Sequence, residues 1–463
     1  MSQPVAAPET REVAAAETRQ YGRSAGLLTI ALGMAGLLAY AFFAVSSHTL
    51  DKDEYGLIVV LWSVNFVVAA TLFRPTEQLL SRTLAEHEQA GEGAGHVLRI
   101  AALIQGCVTL VAIVVMLALQ GPITDDLLDG NETLYWVLVV GIAAFGADFY
   151  ARGFLAGRRQ FRFYAALLVV EGASRLVFPV AVAVGVADGV DAVALGIAVA
   201  PLACLAVLPF ALARHGALAP GEAAAPDTGL EFTLARGGAF AAAVLLMMLS
   251  EQVLINSGAL FVRGALDAAA AGFIFNVMMV ARAPLLLFQA VAASLLPHLT
   301  RLRTRGDTTG EDAFRMSVDN TLLIVIGFAA AVTVGVILVG PAAMQIAFGD
   351  KFEYDRVGLA IVAVGMGFYL SAAALNQAAL AQGQARRAAA CWVVCATAFV
   401  VFNLIQPLNP YRTVEVGFAG CAALLACLLY LLYRRPHPVA ADEITPGSAR
   451  ELEAQLAAVD EIG

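Results

Sequence analysis

Arg282 stands in the middle of an apolar run, and the residues three and four positions away, Met278, Met279, Leu285 and Leu286, offer it no acid. A guanidinium stays charged at any relevant pH and grips phosphate oxygens two at a time. At that depth in a long apolar segment it faces either a wet cavity, where it would receive an anionic group, or a neighbouring helix, where it would make a structural bond. Pro284 loosens the backbone beside it. Glu251 and Gln252, with Asn256 one turn further, form a polar cluster deep in the preceding apolar run. Glu251 would titrate there, or bind a cation, or serve as the salt-bridge partner of Arg282 on the adjacent helix.

Arg74 has Glu77 three residues on and Gln78 four, so it reads either as the mouth of a cavity or as a helix end paired locally. Glu171 with Arg175, and Asp148 with Arg152, have the acid-first spacing of an ion pair within one helix. Arg175 is retained as a candidate for a cavity wall. Asn65, Asn276, Asn376, Gln377 and Asn403 read as bonds between helices. The chain carries no phosphate-binding Gly-rich loop, no His-Glu-x-x-His and no Gly-x-Ser-x-Gly, and its 6 histidines are scattered over helix ends and tails. No catalytic residue, cofactor or metal site is expected, and no nucleic acid partner.

The elements that hold these residues follow from composition. Of 463 residues 60% are hydrophobic and 14% charged, whereas a soluble domain carries roughly a quarter charged residues. Mean hydropathy is +0.77. The net charge of -9 comes from acids in tails and loops and says little about a ligand. All 6 cysteines lie in apolar stretches, where they pack as small hydrophobes. Residues 1–23 are polar, and the apolar run behind them is too long for a signal-peptide core, so it is expected to remain as a span.

A helix needs about 20 apolar residues to cross a bilayer, because each backbone N–H and C=O must be paired within the segment. Twelve segments qualify, at 24–46, 56–80, 97–119, 134–153, 163–186, 190–212, 237–262, 268–296, 318–340, 358–381, 388–405 and 414–433. The fold class is therefore all-α, polytopic in the membrane. Arginines gather in alternate loops, at Arg82, Arg158, Arg159 and Arg162, Arg214 and Arg236, Arg301 to Arg305, and Arg386 and Arg387. Short basic loops stay in the cytoplasm, which places both termini there and the chain in the cytoplasmic membrane.

The polar stretch 214–236, with Pro220, Gly221 and Pro226, divides the chain into six-helix halves at 24–213 and 237–433, with tails at 1–23 and 434–463. Leu50-Asp51 and Gly56 recur as Leu266-Asp267 and Gly272, and Leu155-Ala156 with Arg158-Arg159 echoes Leu380-Ala381 with Arg386-Arg387. Parallel repeats about an axis along the membrane normal are expected to bind substrate between them and to alternate access by rocking.

The short acidic Asp53-Glu54-Tyr55-Gly56 loop, entering a helix that ends in Arg74-Pro75-Thr76-Glu77-Gln78, resembles the polysaccharide exporters of the multidrug/oligosaccharidyl-lipid/polysaccharide superfamily. Arg282-Ala283-Pro284, followed by Phe288-Gln289-Ala290 and Pro297, is similar to the eighth helix of their O-antigen flippase-like branch. The resemblance covers residues 24–435. It implies translocation of an undecaprenyl-linked glycan or a similar anionic lipid-linked precursor, by a monomer that meets membrane lipids and the proteins of glycan synthesis. It also implies a cationic cavity on the first, second, seventh and eighth helices, which Arg282 fits. A cation-coupled drug exporter of the same superfamily would want an acid deep in the first or second helix; the first has none, and Glu251 keeps that alternative open. A membrane glycan polymerase would want a longer outer loop than 341–356.

Overall fold

A computed structural model describes residues 8–90, 94–214, 234–282, 308–352 and 354–434, and among them every regular element is helical. In chain order the principal helices are α1 (Pro8–Thr49), α2 (Lys52–Leu72), α3 (Arg74–Ala90), α4 (Gly95–Ala118), α5 (Glu132–Gly157), α6 (Phe161–Ala183), α7 (Gly189–Cys204), α8 (Leu208–Arg214), α9 (Leu234–Asn256), α10 (Gly258–Ala265), α11 (Ala268–Arg282), α12 (Thr308–Phe348), α13 (Arg356–Ala381), α14 (Ala385–Ile405) and α15 (Pro410–Arg434). Among the described residues 10 helices are long and apolar enough to cross a membrane, or up to 11 when α9 and α10 count as one broken span. The expected span 268–296 is described only as far as Arg282, and the linker 214–236 and the tail 434–463 fall almost wholly outside the described residues.

The most apolar of these spans, Phe314–Phe348, is the least buried, 11% against 72% for Lys52–Glu88. Side chains such as Leu323, Ile324, Leu103 and Val111 point outward. Water would exact a large hydrophobic cost for such a surface, whereas lipid chains solvate it.

Two of the expected spans are interrupted. The second breaks at Phe73, where Pro75 lacks the N–H that would close the next turn. The seventh bends by 51° between Asn256 and Gly258. There the Ser257 hydroxyl donates to the Val253 carbonyl at 2.5 Å, a local bond that bends helices, and Gly258 follows with Val414 against it.

The hairpins α1–α2 and α10–α11 turn at the same end of the molecule, each on an aspartate cap. Glu54 N donates to Asp51 Oδ1 at 2.8 Å, and Ala270 N donates to Asp267 Oδ1 at 2.7 Å. The turns join in one closed seam. The Gly56 backbone lies directly on Ala268, with no room for a Cβ, and a Cβ on Gly272 would stand 3.0 Å from the Tyr55 ring. Tyr55 donates to Asn276, Lys351 Nζ donates to the Leu50 carbonyl at 3.1 Å, and Arg263 pairs with Asp129 while donating to the Leu127 carbonyl at 3.0 Å. Loops that the alternation of charge assigns to one side of the membrane therefore meet at one end.

Candidate functional site

Further along the same helices a polar seam lies between residues before 214 and residues after 234. The last two turns of α9 present Glu251, Gln252 and Asn256. Asn256 Nδ2 donates to Gln252 Oε1 at 2.8 Å, which fixes the amide with its oxygen free to accept. Arg282, at the described end of α11, uses that oxygen: its Nη1 donates to Asn256 Oδ1 at 3.1 Å and to the Ile255 carbonyl at 3.4 Å. Tyr40 of α1 donates to the Met279 carbonyl at 2.6 Å, one turn before Arg282. Arg282 lies within electrostatic reach of Tyr40 and of Tyr369 on α13.

Glu251 is not the partner of Arg282. Its Oε1 accepts from the Tyr369 hydroxyl at 2.6 Å, so the salt bridge weighed as one alternative from sequence is replaced by a neutral donor. The two charges are satisfied by different helices, Glu251 by α13 and Arg282 by α9. Among the described residues no carboxylate lies at ion-pair distance from Arg282, whose acceptors are both uncharged.

Arg74, at the start of α3, is exposed and within electrostatic reach of Tyr369 across the seam. The local Arg74–Glu77 bond also gives way: Glu77 Oε1 accepts from the Tyr164 hydroxyl of α6 at 2.9 Å. Arg282, Glu251, Asn256 and Arg74 thus converge, joined by Tyr40 and Tyr369. Sequence reasoning missed these tyrosines, because nothing along the chain sets them apart from tyrosines that merely pack.

Glu77 and Arg175 belong to a second cluster, buried among α3, α5 and α6. Both expected intrahelical pairs form: Arg152 meets Asp148 at 2.7 Å, and Arg175 pairs with Glu171. They are not separate, since Arg152 also pairs with Glu171 from the neighbouring helix. Cys204 Sγ donates to Asp148 Oδ1 at 3.2 Å, and the Arg175 guanidinium lies 4.6 Å over the Trp62 ring. Trp62 meets Phe43, whose ring is 4.6 Å from Phe275, so an aromatic bridge runs from this cluster to α11. Asn276 makes the expected bond between helices, to Tyr55, and Asn376 accepts from Trp392 Nε1 at 3.0 Å. Among the described residues no three His, Cys, Asp or Glu side chains gather as metal ligands.

No protein-family profile matches the chain. An uncharacterized protein of Mycobacterium tuberculosis is 27% identical over 423 residues, covering 88% of this chain and 90% of that one. The inward-facing structure of a multidrug resistance MATE family transporter of the MOP superfamily superposes with a TM-score of 0.70 at 14% identity, over 88% of this chain and 97% of that one. The outward-facing structure described under the same family superposes at 0.59 and 15% identity, over 89% and 94%. The chain has a MATE-type transporter fold.

Proposed function

We propose that the chain carries an anionic lipid-linked glycan, of the undecaprenyl-pyrophosphate type, across the cytoplasmic membrane by alternating access. The observation that carries this reading is the setting of Arg282: a guanidinium on the apolar helix α11, within electrostatic reach of Tyr40 from the other half and held by neutral acceptors. Its charge is left for a ligand. A pyrophosphate headgroup needs such a counter-charge, and the planar fork binds phosphate oxygens two at a time. Arg74, exposed and within electrostatic reach of Tyr369, supplies a second cation at the approach to the seam.

Two six-helix halves, at 24–213 and 237–433, are the bodies that move. The matching caps at Asp51 and Asp267 and the contact of Gly272 with Gly56 support a repeat about an axis between them. In this reading the Asp51 end faces away from the cytoplasm and both termini lie inside. The backbone contact of Gly56 with Ala268 seals that end, and the higher TM-score to an inward-facing relative accords with a chamber open toward the cytoplasm. The carrier works as a monomer that receives its cargo from the enzymes assembling the glycan.

Replacing Arg282 with Ala tests this. Export of surface glycan is abolished at normal protein level in the membrane, and Lys restores it in part. Undiminished export by the Ala variant would overturn the reading. A second reading, a cation-coupled drug exporter, is favoured by the deep carboxylate of Glu251 on Tyr369. It requires drug efflux that collapses in Glu251→Gln while Arg282→Ala retains it.

A further inference from the structure

The buried cluster of α3, α5 and α6 is unbalanced. Its three carboxyls, Glu77, Asp148 and Glu171, face two guanidiniums, Arg152 and Arg175. Both guanidiniums are engaged by the deeper acids: Arg152 by Asp148 and Glu171, Arg175 by Glu171. Glu77 is left with a neutral donor, the Tyr164 hydroxyl at 2.9 Å. The Asp148 side chain is fully buried, and its Oδ2, though 2.7 Å from Arg152, has no hydrogen bond of good geometry. At about 1.5 Å per residue, Arg175 stands roughly 12 Å along α6 from Ala183, whereas Glu77 stands roughly 37 Å along α2 and α3 from Lys52. The charges therefore form a string from mid-membrane toward the end of the molecule opposite Asp51, and Glu77 is its half-buried outlet.

The groups around Glu77 can be counted. Arg74 on its own helix is exposed, so solvent screens it; α5 brings Arg152 and α6 brings Tyr164, while Asp148 and Glu171 are held on Arg152; α4 adds no charge to it among the described residues. A surplus negative charge among spanning helices is costly unless a proton or a cation neutralises it. Among the described residues no cluster of ligands surrounds Glu77 that would hold a metal ion, which leaves the proton as the neutralising partner.

We propose that Glu77 is a proton-binding site, loaded and emptied through water at the Arg74 end, whose charge state sets the balance of the Asp148–Arg152–Glu171–Arg175 network. The proton comes from water, adds to the free carboxylate oxygen of Glu77 and returns by the same route. No other bond changes.

Infrared difference spectroscopy on the purified full-length chain in nanodiscs, titrated with acid and base in H2O and D2O, reads this directly. The wild type shows a protonated-carboxyl C=O band that titrates reversibly and shifts in D2O. Glu77→Gln loses it, and Tyr164→Phe moves its frequency by removing the bond to Glu77. Glu251→Gln and Glu415→Gln, which remove a half-buried and a fully buried carboxyl of the C-terminal half, leave it in place. A wild type without a titrating band, a band unchanged in Glu77→Gln, or a band lost with Glu251 or Glu415 would overturn the proposal. If Glu77→Gln does not fold, an unmoved band in Tyr164→Phe overturns it equally.

Discussion

Gly56 of α2 and Ala268 of α11 touch backbone to backbone: a Cβ on Gly56 would run into the Ala268 carbonyl and come within 2.8 Å of Ala269 N. The obstacle is a helix start rather than a flexible side chain, so neither partner can turn aside. The close approach of α2 and α11 therefore depends on a residue with no side chain at position 56.

Gly56→Ala should force the seam open. Overpacking typically costs about 1–3 kcal/mol, and here the penalty falls on the contact between α2 and α11. Hydrogen exchange of the segments 52–60 and 268–276 is expected to speed up, with exchange in α14 unchanged. Unaltered protection in both segments would show that the contact relaxes without opening.

The Arg263–Asp129 contact is asymmetric. Asp129 is 51% exposed and Arg263 only 8%, and Arg263 also holds the Leu127 carbonyl. Asp129→Ala should lower thermal stability little, by about 0–1 kcal/mol as for exposed pairs. Arg263→Ala should cost more, about 1–3 kcal/mol, because a carbonyl loses its donor. Equal losses in the two variants, read by thermal unfolding in detergent, would contradict this ranking.

Breaking the ion network from its centre should be severe. Arg152 bridges Asp148 and Glu171, so Arg152→Ala leaves buried carboxylates short of a partner, a change that costs about 3–5 kcal/mol in buried pairs. The combination Asp148→Asn with Arg152→Gln, Glu171→Gln and Arg175→Gln, which removes two charges of each sign, should be better tolerated. Stability of the quadruple variant at or below that of Arg152→Ala would mean that shape rather than charge governs the site.

Outside the spans, Asp355 caps α13 and receives Arg412 Nη2 at 2.6 Å. Burial pushes its carboxyl up, but the Arg412 bond and the N–H groups of Gly358 and Val357 outweigh it and hold the group below its ordinary value of 3.8. A depressed carboxyl stabilises the fold above its unfolded value, and that contribution is lost as pH falls through the folded value. Acid below about pH 4 should therefore lower the melting temperature of the wild type slightly more than that of Asp355→Asn. The difference should be small, since the carboxylate is half exposed. Parallel pH curves would remove Asp355 from the acid response.

Gly358, one turn into α13, leaves no room for a side chain because Glu415 and Tyr354 fill the space. Glu415 is fully buried, receives Arg412 Nη1 at 2.7 Å and accepts from Tyr354. Gly358→Ala should displace the carboxylate and lower the melting temperature more than Asp355→Asn does. A smaller drop would indicate that Glu415 shifts at no cost.

The position of the spans was legible in the sequence because lipid allows no other solution: a backbone that cannot bond to the solvent must bond to itself, and that demands unbroken apolar length. The helices Gly95–Ala118, Arg356–Ala381 and Ala385–Ile405 accordingly begin and end within a few residues of the expected 97–119, 358–381 and 388–405. The isolation of Arg282 was legible for the same reason, since its helical neighbours are read directly from spacing. Which helix would answer it was not. Glu251 turned to Tyr369, Glu77 to Tyr164 and Arg152 to Glu171 as well as Asp148, each across a helix contact whose register depends on the bend at Ser257, the break at Phe73 and the close approach of Gly56. Local spacing determines which side chains share a helix face; only the packing of one helix on the next decides which charges meet.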